Sequence, residues 1–384
     1  MMPGTLLADD RSILRIIQAV QLAPSVYNTQ PWSFWVCADN RIELRPHMAW
    51  EHDGRPWLDR LLPYTDEAAR ELRISCGAAL FNLRMAIRVA GHEVEASLLP
   101  DPRDEWLLAS VEIMTGRIRL PRVEEQELYD AIQRRHTCRW PFTRHRVPDS
   151  VLAEMATAAA KEKGYLEVLN RSQVRKWLRA AAQAEDELTG DQQYVAERSQ
   201  WTIGARPGLG VPSVSYGPPP ASPKRPVRNF GPSSRPPEQF ESHAQLLLLA
   251  TDYNRPLDWL RAGQALQRAL LTATHYGVAA SFLTQPLEFA IKRQLADSRR
   301  TGRRRLPDSL RLPGRIQLAN DRHNSRRWHN GSPFEKVPQM LIRVGYPDRD
   351  GPQTPREDAP QVIDLRSGAR RPVLPSARPH QIGP

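Results

Sequence analysis

With 384 residues, 40% of them hydrophobic, the chain can bury a sizeable core and suits one large domain or two medium ones. No apolar run of about 18 residues and no basic-then-apolar leader is present, so neither a membrane span nor export is expected. Cys37, Cys76 and Cys138 lie far apart without CxxC spacing, which argues against a disulfide framework or a zinc site and suits a reducing, cytoplasmic setting.

The predicted elements alternate between helices and short strands. Ile13, Ile16, Ile17 and Val20 recur at helical spacing over Ser12 to Leu22, with Asp10 as a candidate N-cap. The turn APSVYNTQP follows, and SFWVCADNRIEL reads as two strands around Asp39-Asn40. A long helix is expected from Asp66 to Ala90, stopped by Gly91. Strands at Val94–Leu99 and Leu107–Met114 come next, then a helix near Glu124–Gln133 and the segment RRHTCRWPF. A helix from Asp149, the strand YLEVLN and helices over Ser172–Glu187 and Asp191–Ser199 complete the middle of the chain.

From Gly204 to Pro237, fifteen of 34 residues are Gly or Pro, so neither a helix nor a central strand can persist there. A loop of this length is usually functional or disordered. Beyond it, AQLLLLAT reads as a buried strand, Leu257–Tyr276 as a second long helix and PQMLIRVGY as a late strand.

The net charge of +11 is local in origin. Between Ile291 and Asn330 twelve Lys/Arg stand against three Asp/Glu, a balance of +9. That run, placed as a basic insertion at 296–330, reads as a solvated surface loop, and no nucleic-acid partner is expected of it. The tail at 366–384 reads as disordered.

The two long helices carry a repeat. CGAALFNLRMAIRVAGHEV and AGQALQRALLTATHYGVAA share a Gly-x-Ala-Leu group, Gly77 to Leu80 and Gly263 to Leu266. Each group precedes its terminating glycine (Gly91, Gly277) by the same 14 residues, and the units lie 186 residues apart. Small residues at helical spacing let two helix backbones approach closely. The pattern implies a two-halved α+β chain with one long central helix per half.

APSVYNTQPWSF is very similar to the flavin-contacting motif of nitroreductases. RRHTCRWPFTRHRVP resembles the basic segment with which that superfamily holds the FMN phosphate. RELRISCGAALFNL, WLRAGQALQRALLTAT and PQMLIRVGY resemble its Acg-type branch, over about residues 11 to 346. The order of the two motifs is the reverse of that in ordinary nitroreductases, where FMN sits at a homodimer interface. The resemblance therefore implies a nitroreductase-like α+β fold built as an internal pseudo-dimer, with antiparallel-type sheets. One half spans 11–122 and the other 123–348, and a Gly/Pro-rich lid at 204–237 covers the flavin.

The same resemblance implies site residues. Arg135 and Arg139 would grip the phosphate with Thr137 between them, as planar guanidinium forks suit a dianion, and Arg356 resembles a late phosphate arginine. Pro24, Ser25 and Asn28 would approach the flavin. Gln30 would hold the turn, and Thr284 and Gln285 would address the reactive flavin nitrogen through their backbone. Trp32 is assigned to the core, and His136 to structure rather than catalysis. No Ser-His-Asp, P-loop or paired-carboxylate pattern is present, as suits chemistry carried by a flavin. The implied function is an FMN-dependent NAD(P)H oxidoreductase, monomer or homodimer, passing electrons to a nitroaromatic or quinone-like small-molecule acceptor. The alternatives are an FMN-sequestering protein with a closed lid and an anion or nucleic-acid contact through the Arg-rich insertion.

Overall fold

The computed structural model describes residues 7, 10–50, 56–66, 68–202, 206–221, 227–291, 336–349, 351–358, 361–367 and 371–372. The expected insertion at 296–330 and residues 373–384 of the expected tail lie outside them.

Helix α1 (Asp10–Gln21) turns Ile13, Ile16, Ile17 and Val20 inward. Asp10 is its first helical residue, and its carboxylate accepts from Arg366 at 2.6 Å. The APSVYNTQP turn holds a single 3-10 turn, Val26–Asn28. Strands β1 (Trp32–Val36) and β2 (Arg41–Pro46) then form a hairpin, with Asn40 at φ 55 in the connection. A small ribbon, β3 (Ala49–Trp50) with β4 (Pro56–Trp57), precedes the long helix α2 (Arg70–Val89). Asp66 stands before that helix, accepting from the backbone N–H groups of Arg70 (2.7 Å) and Leu72 (2.8 Å). Gly91, at φ 89, follows its end.

Strands β5 (His92–Leu98) and β6 (Ala109–Ile118) follow, then helices α3 (Val123–Arg134) and α4 (Asp149–Lys161) and strand β7 (Tyr165–Val168). Helices α5 (Arg171–Thr189) and α6 (Gln192–Gln200) begin at Asn170 and Asp191, whose side chains cap the first turns. Strand β8 (Gln245–Thr251), helix α7 (Pro256–His275), and strands β9 (Ala279–Phe282), β10 (Val337–Gly345), β11 (Val362–Asp364) and β12 (Arg371–Pro372) complete the chain.

The architecture is α+β. A six-stranded sheet runs β12-β11-β1-β2-β6-β5, and a four-stranded sheet runs β7-β8-β10-β9. Among the described strands every pairing is antiparallel except β1 with β11, so the first sheet takes a parallel strand from beyond residue 348. Arg366, in the stretch expected as tail, is held by Asp364 and Asp10, and β12 pairs with β11.

Helices α2 and α7 pack together between the sheets. One core cluster joins α1, α2 and the six-stranded sheet; a second joins α7, α4 and the four-stranded sheet. Gly77 and Gly263 meet at the crossing: a Cβ on Gly263 would fall 2.8 Å from the Gly77 Cα. Gln267 donates to the Asn82 side-chain oxygen across the same seam at 2.8 Å, tying the two helices through their buried amides. Trp32 lies in the first core, 2% exposed, as expected. Among the described residues no helix is long and apolar enough to cross a membrane.

Candidate functional site

The APSVYNTQPW turn holds three non-glycine residues at positive φ: Tyr27 (44), Asn28 (55) and Gln30 (47). Such backbone costs on the order of 1–3 kcal/mol per residue and persists only where the surroundings impose it. Here the Ser25 hydroxyl accepts from the Gln30 N–H at 3.0 Å, and the Ser75 hydroxyl accepts from the Val26 N–H at 3.2 Å. Arg60 donates to the carbonyls of Thr29 (3.1 Å) and Gln30 (2.7 Å), and its other fork binds both oxygens of Glu357. The Gln30 amide donates to the Gly208 carbonyl at 2.7 Å and accepts from the Glu357 N–H at 3.3 Å. The turn is thus wedged between α2, the Gly/Pro-rich segment and the strand-free stretch before β11.

This strained turn forms one wall of a cleft of about 760 Å³, part of it open to solvent. Pro24, Ser25, Thr137, Arg139 and Thr284 line it, together with Tyr27, Glu71, Ser75, Arg228, Phe230 and Ser281. The RRHTCR segment reaches the cleft along the edge of the second sheet: Thr137 bridges Ala280 of β9, and the Cys138 N–H donates to the Ala280 carbonyl at 2.9 Å.

Arg135, Arg139 and Arg356 are close enough to repel one another, and among the described residues none has a carboxylate partner. Burial lowers the Arg135 guanidinium to about 9, and the charges of Arg356 and Arg139 add to the effect. Burial likewise brings Arg139 and Arg356 to about 10. Their hydrogen bonds go to neutral oxygens. Arg135 donates to the Leu22 carbonyl (3.1 Å) and Arg139 to the Ser215 carbonyl (3.5 Å). Arg356 donates to the Asn28 side-chain oxygen at 2.6 Å. Among the described residues the buried Nε groups of Arg135 and Arg356 have no partner.

Asn28 itself does not line the cleft. Its amide nitrogen donates to the carbonyls of Gly210 and Pro355, each at 2.9 Å, so it ties Arg356 to the Gly/Pro-rich segment. Gln285 is also outside the cleft; the chain turns into the protein after β9, and the amide donates to Glu185 at 2.9 Å. His136 is partly buried, one ring nitrogen against the Arg134 carbonyl at 3.2 Å.

Val227, Arg228 and Phe230 of the Gly/Pro-rich segment line the cleft. Gly208, at φ +80, sits where a Cβ would come within 2.8 Å of the Arg356 carbonyl oxygen, and a Cβ on Gly217 would fall 1.9 Å from that of Arg139. Arg228 enters the cleft from this segment. It donates to the Tyr27 hydroxyl (2.6 Å), the Thr284 hydroxyl (2.6 Å) and the Glu288 carboxylate (2.5 Å). Burial opposes its charge, yet Glu288 and the two tyrosines raise its pKa. Tyr27 in turn meets the Tyr194 hydroxyl at 2.8 Å. Burial also raises the Glu71 carboxyl against the pull of its partner Arg70. Arg228 and Phe230 escaped the sequence reading, because a Gly/Pro-rich composition signals a loop and not where its side chains reach; Glu288, after β9, escaped it because it belongs to no motif.

No family model matches the chain. It is 30% identical over 365 residues, 93% of its length and 92% of the relative's, to "Putative NAD(P)H nitroreductase Rv3131" of Mycobacterium tuberculosis (strain H37Rv). The chain belongs to this NAD(P)H nitroreductase family. To "Putative NAD(P)H nitroreductase acg" of the same organism it is 27% identical over 379 residues, 96% of this chain and 100% of that one. Similar solved structures include a nitroreductase with bound FMN from Desulfitobacterium hafniense DCB-2, at TM-score 0.32 and 16% identity, covering 60% of this chain and 94% of that one. Another is the FMN and NADPH-dependent nitroreductase NfnB from sphigopyxis sp. strain HMH, at TM-score 0.33 and 14% identity, covering 60% and 94%.

Proposed function

We propose that the chain binds FMN in this cleft and acts as an NAD(P)H-dependent oxidoreductase toward nitroaromatic or quinone-like acceptors. The observation that carries the reading is the trio Arg135, Arg139 and Arg356. Three mutually repelling guanidinium groups without a carboxylate among the described residues, with Arg139 on the cleft wall, form an uncompensated positive cluster; a dianion would relieve the repulsion and occupy donors such as the buried Nε groups. The residues present fit the phosphate of FMN.

When bound, the flavin supplies the electron-transfer chemistry, and the protein supplies binding and orientation. Arg135, Arg139 and Arg356 would hold the phosphate, with the Thr137 hydroxyl between the first two. Pro24 and Ser25 offer a close-packed wall for the ring system, fixed by the strained turn. Thr284 would face the reactive edge, its hydroxyl already accepting from Arg228 and donating to Glu288 (2.7 Å). Gln285 would act only through its backbone, because its side chain is engaged with Glu185.

A second reading, that the protein sequesters FMN, is favoured by Arg228, which fastens the Gly/Pro-rich segment to the cleft. The visible spectrum of purified protein before and after anaerobic NADPH separates the two. Bleaching of bound flavin supports the oxidoreductase, and flavin that stays oxidised supports sequestration. Protein that cannot be reconstituted with FMN would refute both.

A further inference from the structure

Beside the cleft lies a second chamber, enclosing about 1070 Å³ that includes space open to solvent. Its roof is the strap Pro218-Pro219-Pro220, and it shares Arg139, Val227, Arg228 and Phe230 with the cleft. The roof is anchored. Glu238 brackets the strap with two backbone hydrogen bonds, its carbonyl accepting from the Ala221 N–H and its N–H donating to the Pro219 carbonyl, both at 2.9 Å. Arg235 donates to the carbonyls of Tyr216 (2.5 Å) and Val214 (3.1 Å).

Two aromatic residues give the chamber its chemistry. Phe230 stacks on Tyr216 (centroids 5.8 Å apart, planes at 25°) and meets Tyr27 edge-on at 6.3 Å, with the Arg139 guanidinium carbon 4.9 Å from its centroid. With Arg139, Val227 and Arg228 it forms the partition that the two spaces share. Tyr216 lines the chamber and is only 4% exposed, yet among the described residues its hydroxyl has no hydrogen-bond partner. A buried hydroxyl left unmatched costs about 1–3 kcal/mol. Proline and aromatic faces suit a flat ring, and a free O–H donor suits an acceptor oxygen on that ring.

We propose that this chamber is a vestibule for aromatic acceptors bearing a nitro or quinone oxygen, with Tyr216 donating to that oxygen and Phe230 setting which ring sizes pass toward the cleft. The inference rests on the flavin reading for its purpose, while its binding test does not need turnover. Without reductant, calorimetric titration of the protein as purified compares 4-nitrobenzoate with 4-isopropylbenzoate, which has the same outline without nitro oxygens. Tyr216→Phe, which removes only an unpartnered hydroxyl, should weaken 4-nitrobenzoate about tenfold and leave 4-isopropylbenzoate unchanged. Phe230→Ala should shift preference from the one-ring probe toward the two-ring 4′-nitrobiphenyl-4-carboxylate by at least about fivefold, the weight of a lost ring contact. Loss of both benzoates alike in Tyr216→Phe, or of neither, would overturn the role of Tyr216. An unchanged ring-size ratio in Phe230→Ala would overturn the partition. Bound flavin is read by absorbance on the same samples. Flavin present with unaltered variants defeats the vestibule alone; probe binding with the Tyr216 signature in protein that cannot take up FMN defeats the flavin reading alone.

Discussion

Gly77 and Gly263 touch backbone to backbone at the crossing of the two central helices, and each helix bars a methyl group on the other. A Cβ on Gly77 would lie 2.2 Å from the Leu260 carbonyl oxygen, and one on Gly263 would lie 2.0 Å from that of Ile74. Main chain obstructs on both sides, so no rotamer change relieves the clash. Gly263→Ala should therefore lose about 3 kcal/mol, the upper part of the range for overpacking. Gly277→Ala meets nothing within 4 Å but must hold φ +70, and should lose only about 1 kcal/mol. Urea denaturation of the pair checks the ranking, and equal losses would contradict it.

Phosphate recognition should separate FMN from riboflavin. Arg135→Gln or Arg139→Gln should weaken FMN about 10- to 100-fold, the loss of a charge-assisted hydrogen bond, with little effect on riboflavin. Fluorescence titration with both flavins measures this; parallel losses would detach these arginines from the phosphate.

Arg228 should govern access to the cleft. Arg228→Ala removes hydrogen bonds to Tyr27, Thr284 and Glu288 and leaves Glu288 buried without its cation, a change worth about 3–5 kcal/mol. Chymotrypsin cleavage after Phe230 should accelerate at least about tenfold, and adding Glu288→Gln should reverse part of the gain. If flavin is bound, NADPH bleaching should accelerate in the same order. Unchanged cleavage in Arg228→Ala would show that other contacts hold the segment.

Asp66 should make stability depend on pH. Burial raises its carboxyl to about 7, and nearby Glu71 adds to this, although two backbone N–H groups oppose it. The unfolded side chain titrates near 3.9. Between these values the folded state binds more protons than the unfolded one, so Asp66's contribution falls as pH rises from about 4 to about 7 and is flat above. Asp66→Asn should flatten the unfolding free energy across that window relative to the parent. An identical slope in both proteins would mean that Asp66 is already ionised when folded.

The long helices, the hairpin around Asn40 and the glycine pair are legible in the sequence because each rests on local periodicity or a fixed spacing. Strands β9, β11 and β12 are not, being four, three and two residues long and defined by their partners. In the site, the motifs lead to Pro24, Ser25, Thr137, Arg139 and Thr284, all on the cleft wall. Asn28, Gln30, Arg135, Gln285 and Arg356 do not line the cleft; the Asn28 and Gln285 amides serve neighbouring backbone and Glu185. The left-handed backbone at Tyr27 and Gln30 has no local signal, since only Asn28 is a residue type that favours it. It is imposed by Arg60 and by Glu357, a residue 297 positions from Arg60 in sequence.

The parallel strand β11 bears on how the molecule is made. Asn28 and Arg356 are 328 positions apart, and β1 gains its β11 partner only when residues 362–364 arrive. During synthesis the strained turn emerges early and must wait for nearly the whole chain before Arg356 and Glu357 can hold it. Loop closure over such a span comes late in folding. Nascent chains halted before residue 356 should therefore capture no FMN even with α2, α7 and the RRHTCR segment already synthesised, so cofactor uptake would report completion of the fold.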